Sequence, residues 1–490
     1  MKSVRNSVVY LLTLMVLFLS LVPVAGQTSQ RPRSSAQTEV WRRRAPKATA
    51  ARPFHLPPIR EIKLENGLTV VLIEDRRSPM VTFSMGIPVG TANDPIDGRG
   101  LAEAVAELLT EGAGPRNSEQ LAREIETLGA QIGVSANDDF TELSGSVVSE
   151  NAERALEIIG DVLVRPTFPE GEVALYKENR VQNLTVQRQE PAFLVSEHFN
   201  RIVYGPHPYS ISAPTPESLI AMDRTKIERF YRSNFTPLGS VLVIVGDFDV
   251  SKIAAKSKEV LGPWKPVRNR TSEFPALPTR SARRVYLMDR PGSEQADFRI
   301  GNLAVARSDP DYFPLIVANT VLGGGTSSRL FLNIRERKGY AYDVGSSVSA
   351  PLRRGTFFGS SETRTEVALS AIKEMLAEFS RIRNIRVTPL DLLNAKTYLN
   401  GVFSLTLSTQ GGIARRVLQR YMLGLPKDYL ETYRSRIEAV TAAQVQQAAR
   451  KYILTDKPAI VVVGDAAKLK SQLKVLGPVE VVSIEGKPVE

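Results

Sequence analysis

Val243-Ile244-Val245-Gly246-Asp247 reads as a buried strand that ends in a turn, and the chain repeats it as Val461-Val462-Val463-Gly464-Asp465. Gly246 and Gly464, which end the two strands, lie 464 − 246 = 218 positions apart. Further along the chain, each copy is followed by a Leu-Gly-Pro triplet. A second landmark, Ile73-Glu74 to Gly86, recurs as Met288-Asp289 to Gly301 at an offset of 301 − 86 = 215. Two nearly equal offsets predict a duplicated domain of roughly 200 residues.

Both halves begin with strands, run through helices and return to a strand. Strands are predicted at Leu68 to Ile73, Met80 to Met85 and Val241 to Val245, and helices at Leu101 to Leu109, Ala152 to Val164 and Gly171 to Gln189. Because helices and strands do not alternate regularly, an α+β fold with a mostly antiparallel sheet is favoured over a doubly wound parallel sheet.

Composition shifts divide the chain into five predicted segments. These are a signal peptide at 1–26, a disordered basic linker at 27–57, a first domain at 58–264, a linker rich in Pro, Arg and Ser at 265–283, and a second domain at 284–482.

The first 26 residues have the pattern of a secretory signal. Lys2 and Arg5 form its positive end, Val8 to Leu21 is apolar, and Val24-Ala25-Gly26 offers small residues for cleavage. We therefore expect a periplasmic or secreted protein. Whether the segment is cleaved or kept as an anchor stays open.

The net charge of +11 is concentrated at the N-terminus. Residues 1–57 hold nine basic residues and one acidic residue, which leaves only +3 for the rest of the chain. A basic tail on a nearly neutral body, in an exported protein, argues against nucleic acid as a partner. The tail is interpreted as a flexible linker or, alternatively, as a tether to a membrane surface.

Cysteine and histidine usage removes several kinds of chemistry. The chain has no cysteine, which excludes a disulfide framework, a thiolate metal site and a cysteine nucleophile. Its three histidines, His55, His198 and His207, are too far apart in sequence to form a metal-binding pair on one helix.

Gly100 to Leu109 predicts an amphipathic helix that carries an acidic stripe. Glu103, Glu107 and Glu111 fall at i, i+4 and i+8, opposite the apolar positions. A solvated acidic face is the simpler interpretation. A carboxylate metal site would require more ligands than the pattern shows.

Leu322 to Tyr342 (LGGGTSSRLFLNIRERKGYAY) has a glycine-rich turn that opens a helix. A phosphate-binding loop is excluded because no Gly-Lys-Ser/Thr follows the glycines. The helix is predicted to reach Lys338 and to stop at Gly339. Arg335 and Tyr342 could be an ordinary surface charge and an edge residue, but a guanidinium and a phenol can also hold a peptide carbonyl and its developing oxyanion.

Together with Leu64-Glu65-Asn66-Gly67-Leu68, Val89-Gly90-Thr91, Gly100-Leu101-Ala102 and Tyr204-Gly205-Pro206-His207-Pro208-Tyr209, this segment resembles the insulinase/pitrilysin metallopeptidase family. The resemblance is to its processing-peptidase-like branch and covers about residues 60–480. It implies two homologous domains in tandem that form half of a clamshell chamber.

The resemblance also places the family's zinc ligands. The His-x-x-Glu-His motif falls on Glu103, Ala106 and Glu107, and the distal glutamate falls on Asn183. All four positions depart from the family pattern. The implied expectation is no metal and no cofactor in this chain, no peptidase activity alone, and zinc in a partner subunit.

The family's Arg/Tyr pair is matched by Arg335 and Tyr342. The resemblance therefore implies a non-catalytic subunit of an exported heterodimeric zinc peptidase, in which this pair contacts the peptide substrate and serves the active site of a zinc-bearing partner of the same family. One alternative is an inactive peptide-binding or scaffold protein of the cell envelope. Another is a hydrolase that uses Glu103 and Glu107 with a different metal, and a homodimer also stays open.

Overall fold

The computed structural model describes residues 56–268 and 274–489. The predicted signal peptide, nearly all of the basic linker and His55 lie outside the described residues. Within the described part of the chain, no helix has the length and apolarity that crossing a membrane requires.

The first half supplies strands β1 to β8 and helices α1 to α8. The strands are β1 (Ile59–Lys63), β2 (Thr69–Glu74), β3 (Met80–Ile87), β4 (Gly112–Ala113), β5 (Arg116–Asn117), β6 (Gln131–Ala136), β7 (Thr141–Val148) and β8 (Val241–Gly246). The helices are α1 (Leu101–Leu108), α2 (Ser118–Thr127), α3 (Ala152–Val164), α4 (Glu170–Gln187), α5 (Pro191–Tyr204), α6 (Pro216–Ile220), α7 (Arg224–Asn234) and α8 (Val250–Leu261).

The second half follows the same plan. Its strands are β9 (Arg284–Asp289), β10 (Gln295–Leu303), β11 (Ala341–Val348), β12 (Thr356–Arg364), β13 (Ala459–Gly464) and β14 (Val479–Val482). Its helices are α9 (Tyr312–Leu322), α10 (Ala368–Asn384), α11 (Pro389–Thr406), α12 (Gln410–Met422), α13 (Tyr429–Ala439), α14 (Ala442–Tyr452) and α15 (Ala466–Leu473).

The two main sheets have matching topologies. The first has the order β1-β2-β8-β3-β7-β6, and the second has the order β14-β9-β13-β10-β12-β11. β2 pairs with β8 in parallel, and β9 pairs with β13 in parallel. The remaining neighbours on the far side of β8, through β3 and β7 to β6, are antiparallel, as are those on the far side of β13, through β10 and β12 to β11. The halves differ at the opposite edge, where β1 is antiparallel and β14 parallel to its neighbour. The α+β fold with two tandem domains is thus confirmed.

The register reproduces the repeat seen in the sequence. Gly86 of β3 lies opposite Val241 of β8, and Gly301 of β10 lies opposite Ala459 of β13. A Cβ atom at Gly301 would lie 2.1 Å from the carbonyl oxygen of Phe357, so only glycine fits there.

Each half lends a helix to the sheet of the other half. Helix α12 packs on β3 and β8 of the first sheet, and α5 packs on β10 and β13 of the second. Every residue of β8 is buried. Since alternate side chains point to opposite sides of a strand, β8 is covered on both faces. Val241, Val243 and Val245 join the core that contains α12, whereas Leu242 and Ile244 join the core of the first half. This exchange ties the two halves together.

One predicted helix differs from the structure in its hydrogen bonding. The segment after the glycine-rich turn is helical from Arg329, but Phe331–Arg337 is a π-helix. The expected stop at Gly339 is present, with φ of 61°. Apolar spacing cannot separate the two helix types over so few residues, and π-helical turns occur frequently at functional sites.

Candidate functional site

The start of α1 is fixed by a buried carboxylate that precedes it. Asp94 accepts hydrogen bonds from the backbone N–H groups of Gly100 at 2.8 Å and Ala102 at 2.9 Å. Gly100 has φ of 95°, a left-handed conformation that favours glycine. Burial raises the pKa of Asp94 to about 7, against the opposing effect of those two hydrogen bonds. The helix that would carry the zinc motif is therefore intact as a scaffold.

An ion pair occupies the first zinc-motif position. Glu103 Oε2 accepts a hydrogen bond from Nη2 of Arg180, on α4, at 2.6 Å. The two side chains are 22% and 17% exposed, so the pair is mostly shielded from water. The sequence favoured a solvated acidic face here, which is wrong for Glu103. A guanidinium at this place opposes the binding of a divalent cation, because both carry positive charge.

The other motif positions are also unsuited to zinc. Ala106 is fully buried and has no polar atom in its side chain. Glu107 keeps an exposed side chain, but crowding of its carboxyl by protein atoms raises its pKa, and Arg180 opposes this shift. Over residues 56–268 and 274–489, no group of three or more His, Cys, Asp or Glu side chains is placed to hold a metal ion.

A cavity of 220 Å³ lies between α1 and α4. Its lining includes Glu107 from α1, Glu111 from the segment that follows α1, and Glu172, Tyr176, Arg180 and Asn183 from α4. Asn183 is the residue that the sequence aligned with the family's distal glutamate. The structure therefore brings together the second histidine position and the distal glutamate position, without a ligand set for zinc.

Two residues of this cavity were missed by the sequence analysis. Arg180 and Tyr176 stand four positions apart on α4, so one turn separates them on the same helical face. Helical spacing shows that they share a face, but it does not show that this face meets α1. Burial, followed by the charges of Glu107 and Glu103, raises the pKa of Tyr176 well above its usual range, so its hydroxyl is neutral.

Arg335 and Tyr342 lie against each other in the second half. The guanidinium carbon of Arg335 is 4.9 Å from the ring centroid of Tyr342 and 4.7 Å from that of Phe331. Tyr342 is 84% exposed, which is exceptional for a large ring. Its strand, β11, is an edge strand whose register shifts between Ala341 and Val344, and such irregularities often re-aim a side chain.

The two described histidines are structural. His207 is buried in its turn, where Nδ1 accepts a hydrogen bond from the N–H of Tyr209 at 3.2 Å, as expected of a turn residue. His198 is buried on α5, and neither ring nitrogen has a hydrogen-bond partner among the described residues. Burial lowers the pKa of His198 to about 4.

Family models for both halves match the chain. The insulinase (peptidase family M16) model matches residues 69–217, and the peptidase M16 inactive-domain model matches residues 221–399. An uncharacterised zinc protease of Bacillus subtilis, YmxG, is 25% identical over 84% of this chain and 100% of its own length. A similar protein of Streptomyces coelicolor is 24% identical over 83% of this chain and 89% of its length.

Solved structures show the same fold. A peptidase M16 inactive domain from Pseudomonas fluorescens superposes with a TM-score of 0.78 and 26% identity, covering 83% of this chain and 98% of that one. The periplasmic protease PqqL from Escherichia coli gives a TM-score of 0.72 at 16% identity, covering 86% of this chain and 47% of that one. The chain is therefore a member of the insulinase (M16) peptidase family in which the zinc motif has been lost.

Proposed function

We propose that this chain is the non-catalytic subunit of an exported heterodimeric zinc peptidase. The observation that carries the proposal is an asymmetry between its halves. The zinc-motif positions hold Glu103, Ala106 and Glu107, with Arg180 paired to the first of them. Arg335 and Tyr342 are retained and in contact, with Tyr342 open to solvent and the Arg335 side chain 35% exposed beside Glu336. A chain that has lost its metal ligands but keeps an exposed Arg/Tyr pair suits a supporting role beside a partner that has the metal.

Zinc in the partner would activate the water that attacks the peptide bond. In this proposal the Arg335 guanidinium and the Tyr342 hydroxyl donate hydrogen bonds to the substrate carbonyl, and these bonds strengthen as negative charge develops on the oxygen. The ring of Tyr342 leaves its hydroxyl free because it meets Arg335 through its face.

Edge strands offer the peptide a place to bind. β6 and β11 each end a main sheet, and an extended peptide can add to such an edge through backbone hydrogen bonds. Tyr342 belongs to β11 itself. In this proposal its phenol lies beside a peptide that pairs with this strand.

An exposed apolar face supports the existence of a protein partner. Helix α11 exposes five large apolar or aromatic side chains, each at 42% to 73%: Leu390, Leu393, Tyr398, Val402 and Leu405. In this proposal these side chains belong to the surface that the partner covers.

Export rests on the sequence of residues 1–26, and one structural relative is a periplasmic protease. The basic segment at 27–57 would tether the chain to an anionic membrane surface in this proposal.

Affinity purification of the tagged full chain from its native envelope, with mass spectrometry of the proteins that copurify, tests the assembly. We expect an equimolar partner of the same family that carries an intact His-x-x-Glu-His motif. Recovery of the chain alone, or only with copies of itself, would overturn the heterodimer and favour an envelope peptide-binding or scaffold role.

A further inference from the structure

A cavity of 340 Å³ lies in the second half of the chain, between the segment that leads into α9 and helix α13. The guanidiniums of Arg307 and Arg436 line it together with the rings of Phe313 and Tyr429. The two guanidinium carbons lie 5.7 Å and 5.8 Å from the ring centroid of Tyr429. Two cations therefore converge on one aromatic ring.

The cavity presents hydrogen-bond donors that lack acceptors. Nε of Arg307 donates to the hydroxyl of Tyr429 at 3.0 Å, and Nη1 donates to the hydroxyl of Tyr312. Because a guanidinium can only donate, the Tyr429 oxygen is the acceptor and its own proton is left to donate. Among residues 56–268 and 274–489, neither this proton nor Nη2 of Arg307 has an acceptor. These groups point to a ligand that accepts hydrogen bonds.

The two guanidiniums of the lining are poorly neutralised. Arg307 is partly buried, yet no carboxylate in the described part of the chain lies within ion-pairing distance of it. A shielded charge is normally paired, because removing it from water is costly. Arg436 lies 3.9 Å from Asp428, but both side chains are more than a third exposed, so this ion pair contributes little. The cavity therefore attracts an anion.

The balance of nearby charges suits a ligand with one negative charge. Burial raises the pKa of Tyr429 to about 12, and the charges of Arg307 and then of Arg416, on α12, oppose this shift. Asp309 is the carboxylate of the lining, and its Oδ1 accepts a backbone hydrogen bond at 2.8 Å. Three guanidiniums against the carboxylates of Asp309 and Asp428 leave about one positive charge.

The rest of the lining suits a ligand with an apolar or aromatic body. The rings of Phe313 and Tyr429 are 5.9 Å apart and buried, and three prolines and two aliphatic side chains continue this surface: Pro310, Pro314, Leu425, Pro426 and Val440. The volume of 340 Å³ is at the lower end of the roughly 300–1,000 Å³ of small-molecule sites. A guanidinium fork pairs bidentately with a carboxylate.

We propose that the cavity at Arg307, Tyr429 and Arg436 binds the carboxylate of a small acid whose body is apolar or aromatic. The carboxylate pairs with Arg307 and accepts the proton of the Tyr429 hydroxyl, while the body packs on Phe313. A free acid and the C-terminal residue of a peptide share this chemistry. The site includes neither the zinc-motif positions nor the Arg335/Tyr342 pair, so it stands independently of the proposed peptidase assembly.

Saturation-transfer-difference NMR titrations on the isolated full chain test the site. The probe is 3-phenylpropionate, and the uncharged 3-phenylpropanamide is its matched control. We expect the acid to bind at least about fivefold more tightly than the amide, because hydrogen bonds to charged groups are the stronger ones. N-acetylglycylphenylalanine separates the two sources. Tighter binding of this peptide than of 3-phenylpropionate assigns the site to chain ends, and the reverse order assigns it to free acids.

Variants test the residues of the site. Arg436→Gln should weaken binding of the acid roughly threefold to fivefold, as loss of one partly exposed charge does. Arg307→Lys keeps the charge but loses the fork, and should weaken binding about tenfold. Arg386→Gln removes an exposed cation outside the cavity and should leave binding unchanged.

Equal binding of the acid and the amide by the parent chain would overturn the site. Unchanged binding of the acid in Arg436→Gln would do so as well. Arg436 is partly exposed on α13, so this variant keeps the proposal testable even if Arg307→Lys fails to fold, which circular dichroism shows. Since the measurement needs neither partner nor hydrolysis, its outcome and that of the heterodimer test are separate.

Discussion

The guanidinium carbon of Arg335 lies 4.9 Å from the ring centroid of Tyr342, and this ring is 84% exposed. A cation–π contact at an exposed site contributes about 0.5–1 kcal/mol. This stabilisation is too small to explain by itself why so large a ring stays exposed to solvent. The two side chains are in contact without being buried, as a group that waits for a substrate would be.

Tyr342→Phe separates the hydroxyl from the ring. In the reconstituted complex we expect kcat to fall about 100-fold, the scale of losing one oxyanion donor, while assembly is unchanged. Arg335→Lys should lower kcat as well, and the double variant should lose less than the product of the two effects, because the residues act as one unit.

Tyr340→Phe is the matched control. It also removes a phenol hydroxyl, but from a residue two positions earlier whose side chain packs on the core. Steady-state kinetics and size-exclusion chromatography of each complex provide the readouts. Unchanged kcat in Tyr342→Phe would remove this residue from the proposed site.

Arg180→Met should destabilise the chain by about 2 kcal/mol, because it leaves Glu103 without its partner in a mostly shielded place. The double variant Glu103→Gln/Arg180→Met should recover much of that loss, since no charge is then left unpaired. Urea unfolding of the two variants measures both effects. Equal stability of the single variant and the parent would show that the ion pair contributes nothing.

His198 predicts an acid-sensitive component of stability. Its folded pKa is about 4 and its unfolded pKa is 6.5, so the unfolded state binds more protons between these values. Stability is therefore lost as pH falls through this window, by about 2 kcal/mol from pH 7 to pH 5 for this group. Raised carboxyl pKa values, such as that of Asp94, act in the opposite direction, so the parent curve alone does not isolate the effect.

The difference between the parent and His198→Leu isolates it. Leucine fills a similar volume and removes two ring nitrogens that have no partner among the described residues. We measure the free energy of unfolding of both proteins in urea at pH 7 and at pH 5. Between these pH values, the stability of His198→Leu relative to the parent should rise by about 2 kcal/mol. Parallel pH curves for the two proteins would contradict this assignment.

The exchanged helices predict that neither half folds alone. A fragment of residues 284–482 lacks α5, whose Leu194, Phe199 and Val203 pack against Val461 and Val463 of β13. Expressed by itself, it should bind hydrophobic dyes and unfold without cooperativity. Coexpression with residues 58–268 should restore a one-to-one complex with a cooperative transition. A stable, dye-free 284–482 fragment would show that the exchanged helix is dispensable.

The duplication and fold class were accessible from sequence because buried strands leave continuous apolar runs. Val243 to Val245 and Val461 to Val463 read this way in both copies, and both lie in central strands. The exchange of α5 and α12 was not accessible, because an amphipathic face does not say which sheet it covers.

The candidate site was only partly accessible for a related reason. The loss of the zinc motif could be read from Glu103, Ala106 and Glu107, but the pairing of Glu103 with Arg180 spans 77 positions and arises only when α1 meets α4. The π-helical register around Arg335 also leaves no mark in the spacing of apolar residues.

Hydrolysis of a quenched fluorescent peptide by this chain, by its zinc-bearing partner, and by their equimolar mixture tests the central claim most directly. We predict that the chain alone is inactive with or without added zinc, that the partner alone is slow, and that the mixture is at least tenfold faster. Zinc-dependent hydrolysis by this chain alone, or equal rates for the partner and the mixture, would contradict a non-catalytic subunit that completes its partner's active site.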